Sequence, residues 1–240
     1  EIYTLSLHDA LPIWFSIMDK PNIAVKGIES ALKFRRAIKS FDPKKKISDE
    51  DIELILEAIR LAPTSYGFEP FNVIVAQDAD LRKRIEKAAG VNAARFTASH
   101  LLIFTAKTGQ ELTRKDGHID HMLRDVAQMN VIVRTGYKTF WKKWAKTDFK
   151  ILGDDDKLHQ WAARQAYIAL GFAMMAAAER GIDSCAMEGF SIDKLTDILE
   201  DVKLIDRDKE LPVVMLALGY GNKKPHSQTR RMMDEIARWY

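Results

Sequence analysis

Arg35, Arg36 and Lys39 set three cations within five residues in "FRRAIKSFD". The chemistry open to them is the holding of an anion, since arginine presents a planar fork of donors suited to phosphate and lysine a compact charge for a second anionic centre. Further on, "RLAPTSYGFEPFNVIV" places the Thr64 and Ser65 hydroxyls and their backbone N–H groups just before an apolar run. The two stretches together could bind an anion. The plainer alternative is a solvated basic face at a helix C-terminus, where positive charge is favourable in any case, and on these residues alone that alternative is preferred.

The other candidates are weaker. "HIDHMLRD" sets His118 and His121 three apart near Asp120 and Asp125, whereas a zinc-protease pair is separated by four with a glutamate between, so an exposed polar helix is expected. "GYG" at 219–221 lacks the third glycine of a dinucleotide turn and has too little chain after it for a βαβ unit. No phosphate-binding P-loop and no Gly-x-Ser-x-Gly elbow occurs, and Cys185, the one cysteine, has no adjacent histidine to activate it. A single cysteine rules out an internal disulfide and fits a reducing compartment, so a cytoplasmic location is expected.

The elements that must position these residues read as follows. "GIESALKFR" is helical, and "SDEDIELILEAIRLAP" is an amphipathic helix capped by Ser48 and Asp51, ended by Pro63 and expected to pack on the first helix. "FNVIVA" reads as a buried strand, "DADLRKRIEKAAG" as a helix closed at Gly90, and "HLLIFTAKT" as a second strand. Residues 110–150 are helical and aromatic. Leu158 to Arg180 is apolar on most sides, a central helix stopped by Gly181; "SIDKLTDILED" is a short capped helix, "LPVVMLALGYG" an inner strand, and "RRMMDEIARWY" a closing helix. No linker or repeat divides residues 18–240, which read as one α+β domain. The basic residues are scattered among acids, so no nucleic-acid groove is implied, and no apolar run is long enough to span a bilayer.

In order and spacing, "RRAIKSFD", "LAPTSYGFEPFNVIV", "TASHLLIFTAKT", "QAYIALGFAMMAAAERGIDSCAMEGF" and "LALGYG" with "SQTRR" resemble the FMN-dependent nitroreductase family, from Phe34 to Arg231. The resemblance implies a central, mostly antiparallel sheet surrounded by helices and an intertwined homodimer with two FMN molecules at the subunit interface. The apolar helix would then be dimer core. It also implies roles. Arg35 and Arg36 would grip the FMN phosphate and Arg230 would return to it, while Lys39 would sit near flavin N1 and O2. Thr64 and Ser65, with Tyr66 and Gly67 contributed across the interface, would line the isoalloxazine and ribityl chain. Asn92, or Arg95 in its place, would meet the flavin's pyrimidine edge. Glu188 and Gly189 would offer backbone N–H groups to N5 and O4, and Lys39 and Glu188 would tune the flavin electronically.

This chain departs from many relatives in carrying Arg36 and Ala37 for His and Ser, Phe71 for Trp, and Gln228 for Lys; Arg36 is expected to replace the charge absent at Gln228. Tyr137, Phe140, Trp141 and Trp144 fall where the family has a mobile substrate-covering region, with plain core packing the alternative for any one of them. The implied activity is two-electron transfer from NADH or NADPH through FMN, by a ping-pong route, to a nitroaromatic or quinone. The alternatives are a dehalogenase or flavin-fragmenting enzyme of the same fold, or a non-catalytic flavin-binding protein.

The pattern requires nothing before about Met18. Residues 1–13 back-translate, in a permissible codon choice, to the end of a common sequencing-library adapter, so 1–17 is expected to be a non-native extension without function. Setting it aside removes Glu1 and Asp9 and no base, which raises the net charge from +3 to +5.

Overall fold

The chain is described by a computed structural model covering residues 26–223 and 227–240, with the backbone alone at 26 and 91–93. The putting together of the sheet follows from residues that are apolar on both faces. β2 (His100–Lys107) and β4 (Glu210–Gly219) become the two inner strands of a four-stranded antiparallel sheet, with β1 (Phe71–Ala76) outside β2 and β3 (Asp183–Met187) outside β4. Strand side chains alternate between faces. Leu101, Ile103, Met215 and Ala217 accordingly join one core cluster, and Leu102, Phe104, Val214, Leu216 and Leu218 another.

Helices cover both faces. On the first lie α3 (Ala79–Ala89) and α8 (Ile192–Asp201), through Leu81, Ile85, Leu195 and Leu199. On the second lie α2 (Asp49–Arg60), through Ile52, Ile55 and Ile59, and the long α7 (Asp155–Glu179), through Ala166, Ala169, Leu170, Ala173 and Ala177. The small residues of α7 let it lie close to the sheet. Ser48 caps α2, its Oγ accepting from Asp51 N at 3.2 Å. Gly181, at φ 68°, adopts the left-handed conformation that ends α7. The short α4 (Gly109–Thr113) and α5 (His118–His121) lead to α6 (Val131–Thr147), which joins a third cluster of Phe68, Trp141, Leu158 and Trp161. No helix among the described residues is long and apolar enough to cross a membrane.

Several expectations need correction. α1 (Lys26–Phe34) and α2 each pack chiefly on α7 rather than chiefly on each other; Ala31 is the buried side of α1, and Ile28 and Leu32 stay exposed. β1 is an edge strand in which only Ala76 is buried. β3 went unread because Asp, Ser and Ala are poor strand formers and it follows α7 almost at once; pairing with β4 overrides the local preference. The closing helix shrinks to one turn, α9 (Met233–Ile236), whose apolar side chains stay exposed, so packing among the described residues does not extend it. α5 is no exposed polar helix either. His118 Nε2 lies 2.6 Å from Phe68 O and the largely buried Asp120 pairs with Lys138 at 2.6 Å, whereas His121 turns to Asp125 at 2.9 Å, so the two histidines serve different partners.

Candidate functional site

The candidate site is built on the open edge of β3. After α1 the chain runs extended beside that strand: Ala37 forms a parallel bridge with Ser184, and Ile38 N donates to Ser184 O at 3.0 Å. Phe41 bridges Gly221, and Asp42 N donates to Tyr220 O at 2.7 Å, which ties the same segment to the end of β4. Ile38 and Phe41 are buried beneath it, and an extended backbone therefore turns Ala37 and Lys39 outward. The glycines of "GYG" serve this contact. A Cβ on Gly221 would meet Asp183 Oδ2 at 3.0 Å and Ile38 at 3.1 Å, and one on Gly219 would meet the Phe41 ring and Ser99 N at 3.1 Å.

The outward side chains line a cavity of about 690 Å³ walled by Arg35, Arg36, Lys39, Ser40, Lys223 and Arg230 among others, with no aspartate or glutamate among the described residues of its lining. That charge imbalance suits a polyanion. The structure thus brings together the four cations singled out in the sequence and adds Ser40, Lys223, Ser227 and Thr229. The only signal for these additions was their closeness in sequence to "RRAIK" and to the "GYG…SQTRR" stretch.

The cavity wall also ends a helix. Arg36 Nη1 donates to Lys33 O and Phe34 O, both at 2.8 Å, and Gln228 Nε2 donates to Leu32 O at 3.0 Å and Arg35 O at 2.7 Å. Together they satisfy carbonyls left open at the C-terminus of α1. Gln228 therefore stitches the returning segment to α1 through neutral hydrogen bonds. Arg95 Nε lies 3.1 Å from Cys185 Sγ on β3. Burial pushes the Cys185 thiol's pKa up, against the pull of Arg95.

Thr64, Ser65, Tyr66 and Gly67 do not line this cavity. Ser65 N donates to Gln165 Oε1 of α7 at 2.9 Å, and Glu69 N donates to Thr64 Oγ1 at 3.1 Å. Tyr66 and Gly67 both take positive φ, 61° and 63°. The Tyr66 ring packs among Phe68, Tyr137, Phe140 and Trp144, and Tyr137 Oη donates to Tyr66 O at 3.1 Å. Of the aromatic residues on α6, Trp141 is core, 1% exposed, while Phe140 is 61% exposed. Glu188 and Gly189 follow directly on β3 and are exposed; Tyr167 Oη of α7 donates to Glu188 Oε1 at 2.6 Å. Gln165 and Tyr167, both missed as site residues, are polar interruptions of an apolar helix. The side chain of Asn92 lies outside the described residues.

Residues 32–220 match the sequence profile described as the Nitroreductase family. A Bacillus subtilis protein provisionally named as an NAD(P)H nitroreductase is 38% identical over 213 residues, covering 88% of this chain and 96% of its own. A Staphylococcus aureus protein with the same provisional name is 41% identical over 219 residues, covering 88% and 95%. Among solved structures, a provisionally assigned nitroreductase from Exiguobacterium sibiricum, in complex with FMN, superposes with a TM-score of 0.72 at 20% identity, over 89% of this chain and 97% of that one. The NADPH:FMN oxidoreductase of Vibrio harveyi, complexed with NAD+, gives 0.63 at 16% identity, over 89% and 76%. A profile match across most of the chain, relatives near 40% identity aligned almost end to end, and the same fold place this protein in the nitroreductase family.

Proposed function

We propose that the chain is a homodimeric, FMN-dependent oxidoreductase that takes reducing equivalents from NADH or NADPH and delivers two electrons, by a ping-pong route, to a nitroaromatic or quinone acceptor. The observation that carries this reading is the cavity on the β3 edge, lined by arginine and lysine side chains with no acid among its described residues. Such a lining fits the dianionic FMN phosphate, whose charge it would offset. Arg35, Arg36 and Arg230 would hold the phosphate, with Ser40, Ser227 and Thr229 as further hydrogen-bonding groups beside them. Lys39 would stand toward N1 and O2. Glu188 and Gly189, at the end of β3, would present their backbone to the N5 and O4 edge, and Asn92 would meet the pyrimidine edge.

The flavin, when bound, supplies the hydride-accepting and electron-donating chemistry. The protein's share is binding, orientation and charge, and the reading calls for no acid–base dyad.

The homodimer reading gives the Thr64 to Gly67 segment a place. Thr64 to Gly67 stand away from the cation-lined cavity, and on the homodimer reading the partner brings its own copy of that segment to the flavin. The apolar surface that such a partner would cover is present: Tyr167, Ile168 and Phe172 on α7, Ile28 and Leu32 on α1, and Met232, Met233, Ile236 and Trp239 near the C-terminus are all exposed. Phe140 of α6 would border the acceptor.

The deciding experiment is an absorption spectrum of the purified protein after FMN is added and excess removed. Flavin bands retained by the protein and bleached by NADH or NADPH, then restored by a quinone or nitroaromatic, are expected. No retained flavin would defeat the reading; flavin retained without bleaching would leave binding and remove the reductase.

A further inference from the structure

We infer that Tyr167 is a positioning residue for the reaction: its hydroxyl holds the Glu188 carboxylate against α7 and draws its negative charge away from the flavin edge that Glu188 and Gly189 face. This deepens the proposed function and rests on it. β3 ends at Met187, paired with Met215, so the ladder that fixes the strand stops one residue short of Glu188. Beyond it the backbone folds tightly, with Phe190 N donating to Glu188 O at 2.8 Å across Gly189. Ser191 N ties the turn to Ala88 O of α3 at 3.5 Å, and the exposed Glu188 side chain takes its own partner from α7.

Tyr167 is that partner. Its oxygen lies 2.6 Å from Glu188 Oε1 and 3.4 Å from Val213 O. A phenol has one proton to give, and the shorter approach to an ionised acceptor takes it. Burial, and then the Glu188 carboxylate, both raise the Tyr167 pKa, so the phenol keeps its proton through the working pH range. α7 is anchored against the sheet by Ala166, Ala169 and Leu170 on its other side, so the hydroxyl projects from a rigid support.

A carboxylate relieved of this donor would turn its full charge on the flavin, and reduced flavin, which carries negative charge, would be bound less well than oxidised flavin. Tyr167→Phe keeps the ring and removes only the donor. Reduction of the FMN-loaded variant with dithionite against a reference dye is expected to show roughly a tenfold fall in the ratio of reduced to oxidised FMN affinity, a midpoint about 30 mV lower for a two-electron couple. Affinity for oxidised FMN, measured by titrating the apoprotein, should change less than about threefold because the phosphate cavity is untouched. In a Glu188→Gln background, where there is no charge to hold back, the same Tyr167→Phe change should move the midpoint by less than a third as much.

An unchanged or raised midpoint in Tyr167→Phe, or an equal fall in the Glu188→Gln background, overturns the inference. Failure of the unmodified protein to bind FMN at all would strike the proposed function instead.

Discussion

Gln165→Leu tests whether the loop carrying Thr64 to Gly67 is held in place by α7. Gln165 is 4% exposed and makes two hydrogen bonds: Oε1 accepts from Ser65 N at 2.9 Å, and Nε2 donates to Trp161 O at 3.1 Å one turn earlier. Leucine is close in volume and opens no cavity of consequence. The Trp161 carbonyl keeps its helical partner, so the loss falls on the Ser65 N–H. An amide stranded out of water costs about 1–3 kcal/mol, and because Ser65 is only half-buried the lower part of that range applies, about 1–2 kcal/mol. The loop has little in reserve, since Tyr66 sits at φ 61° without being glycine, a conformation that itself costs about 1 kcal/mol or more. Urea unfolding at one fixed protomer concentration should show a lower midpoint with unchanged slope, and the Ser65 amide should exchange at least tenfold faster. Ser65→Ala, which keeps the amide, should change stability by less than about 0.5 kcal/mol. If Gln165→Leu is as stable as the parent and the Ser65 amide stays equally protected, the anchoring role assigned to Gln165 is wrong.

Arg35→Ala and Arg230→Ala should each raise the FMN dissociation constant by roughly tenfold or more in both redox states, whereas Lys39→Met should lower the bound flavin's midpoint potential with a smaller effect on affinity. Titration of the apoproteins and dye-coupled reduction separate the two, and a reversed pattern would exchange the phosphate and ring assignments. Phe172→Asp, on the exposed apolar face of α7, should convert a dimer to monomer in light scattering and release flavin with it; a parent protein that is already monomeric would remove the interface from the proposal. Burial lowers the pKa of His118 and of His100, and a base whose folded pKa is depressed binds protons more readily when unfolded. Stability should therefore be full above the ordinary histidine pKa of about 6.5 and fall as the pH drops below it, with a slope approaching 1.4 kcal/mol per pH unit per histidine. His118→Gln should flatten the fall in melting temperature between pH 7 and 5, and an unaltered profile would show that His118 does not titrate with unfolding.

Where the sequence could be read, a local rule and the tertiary structure agreed. Ser48 caps α2, Gly90 and Gly181 close α3 and α7 at positive φ, and β4 is too apolar for any place but the inside. The elements that were misread are those decided by partners distant in sequence. β3 exists because β4 offers it a ladder, and β1 is only half-buried because the sheet stops there. α9 is a single turn whose apolar residues stay exposed among the described residues. The cation cluster was legible as a composition, "RRAIK" with a later "TRR", but its closing into one cavity was not. That depends on the Ala37 to Ser184 and Phe41 to Gly221 bridges, and on Gln228 reaching back to α1.

α7 shows how the supports of such a site could be sought in other sequences. Along "WAARQAYIALGFAMMAAAE" the apolar pattern marks a helix packed on several sides, and polar groups within it must each find a partner. Gln165 and Tyr167 are two residues apart, so their side chains leave the helix about 200° apart around its axis. One reaches inward to the backbone of Ser65 and the other outward to the carboxylate of Glu188. A single rigid element thereby holds two loops that belong to different parts of the chain. On the homodimer reading those loops serve different flavins, since Thr64 to Gly67 are lent to the partner and Glu188 stays with its own chain. A shift of α7 would then be felt at both flavins at once. The Gln165→Leu and Tyr167→Phe changes therefore provide separate handles on the two ends of one support, and their effects on flavin binding should not simply add.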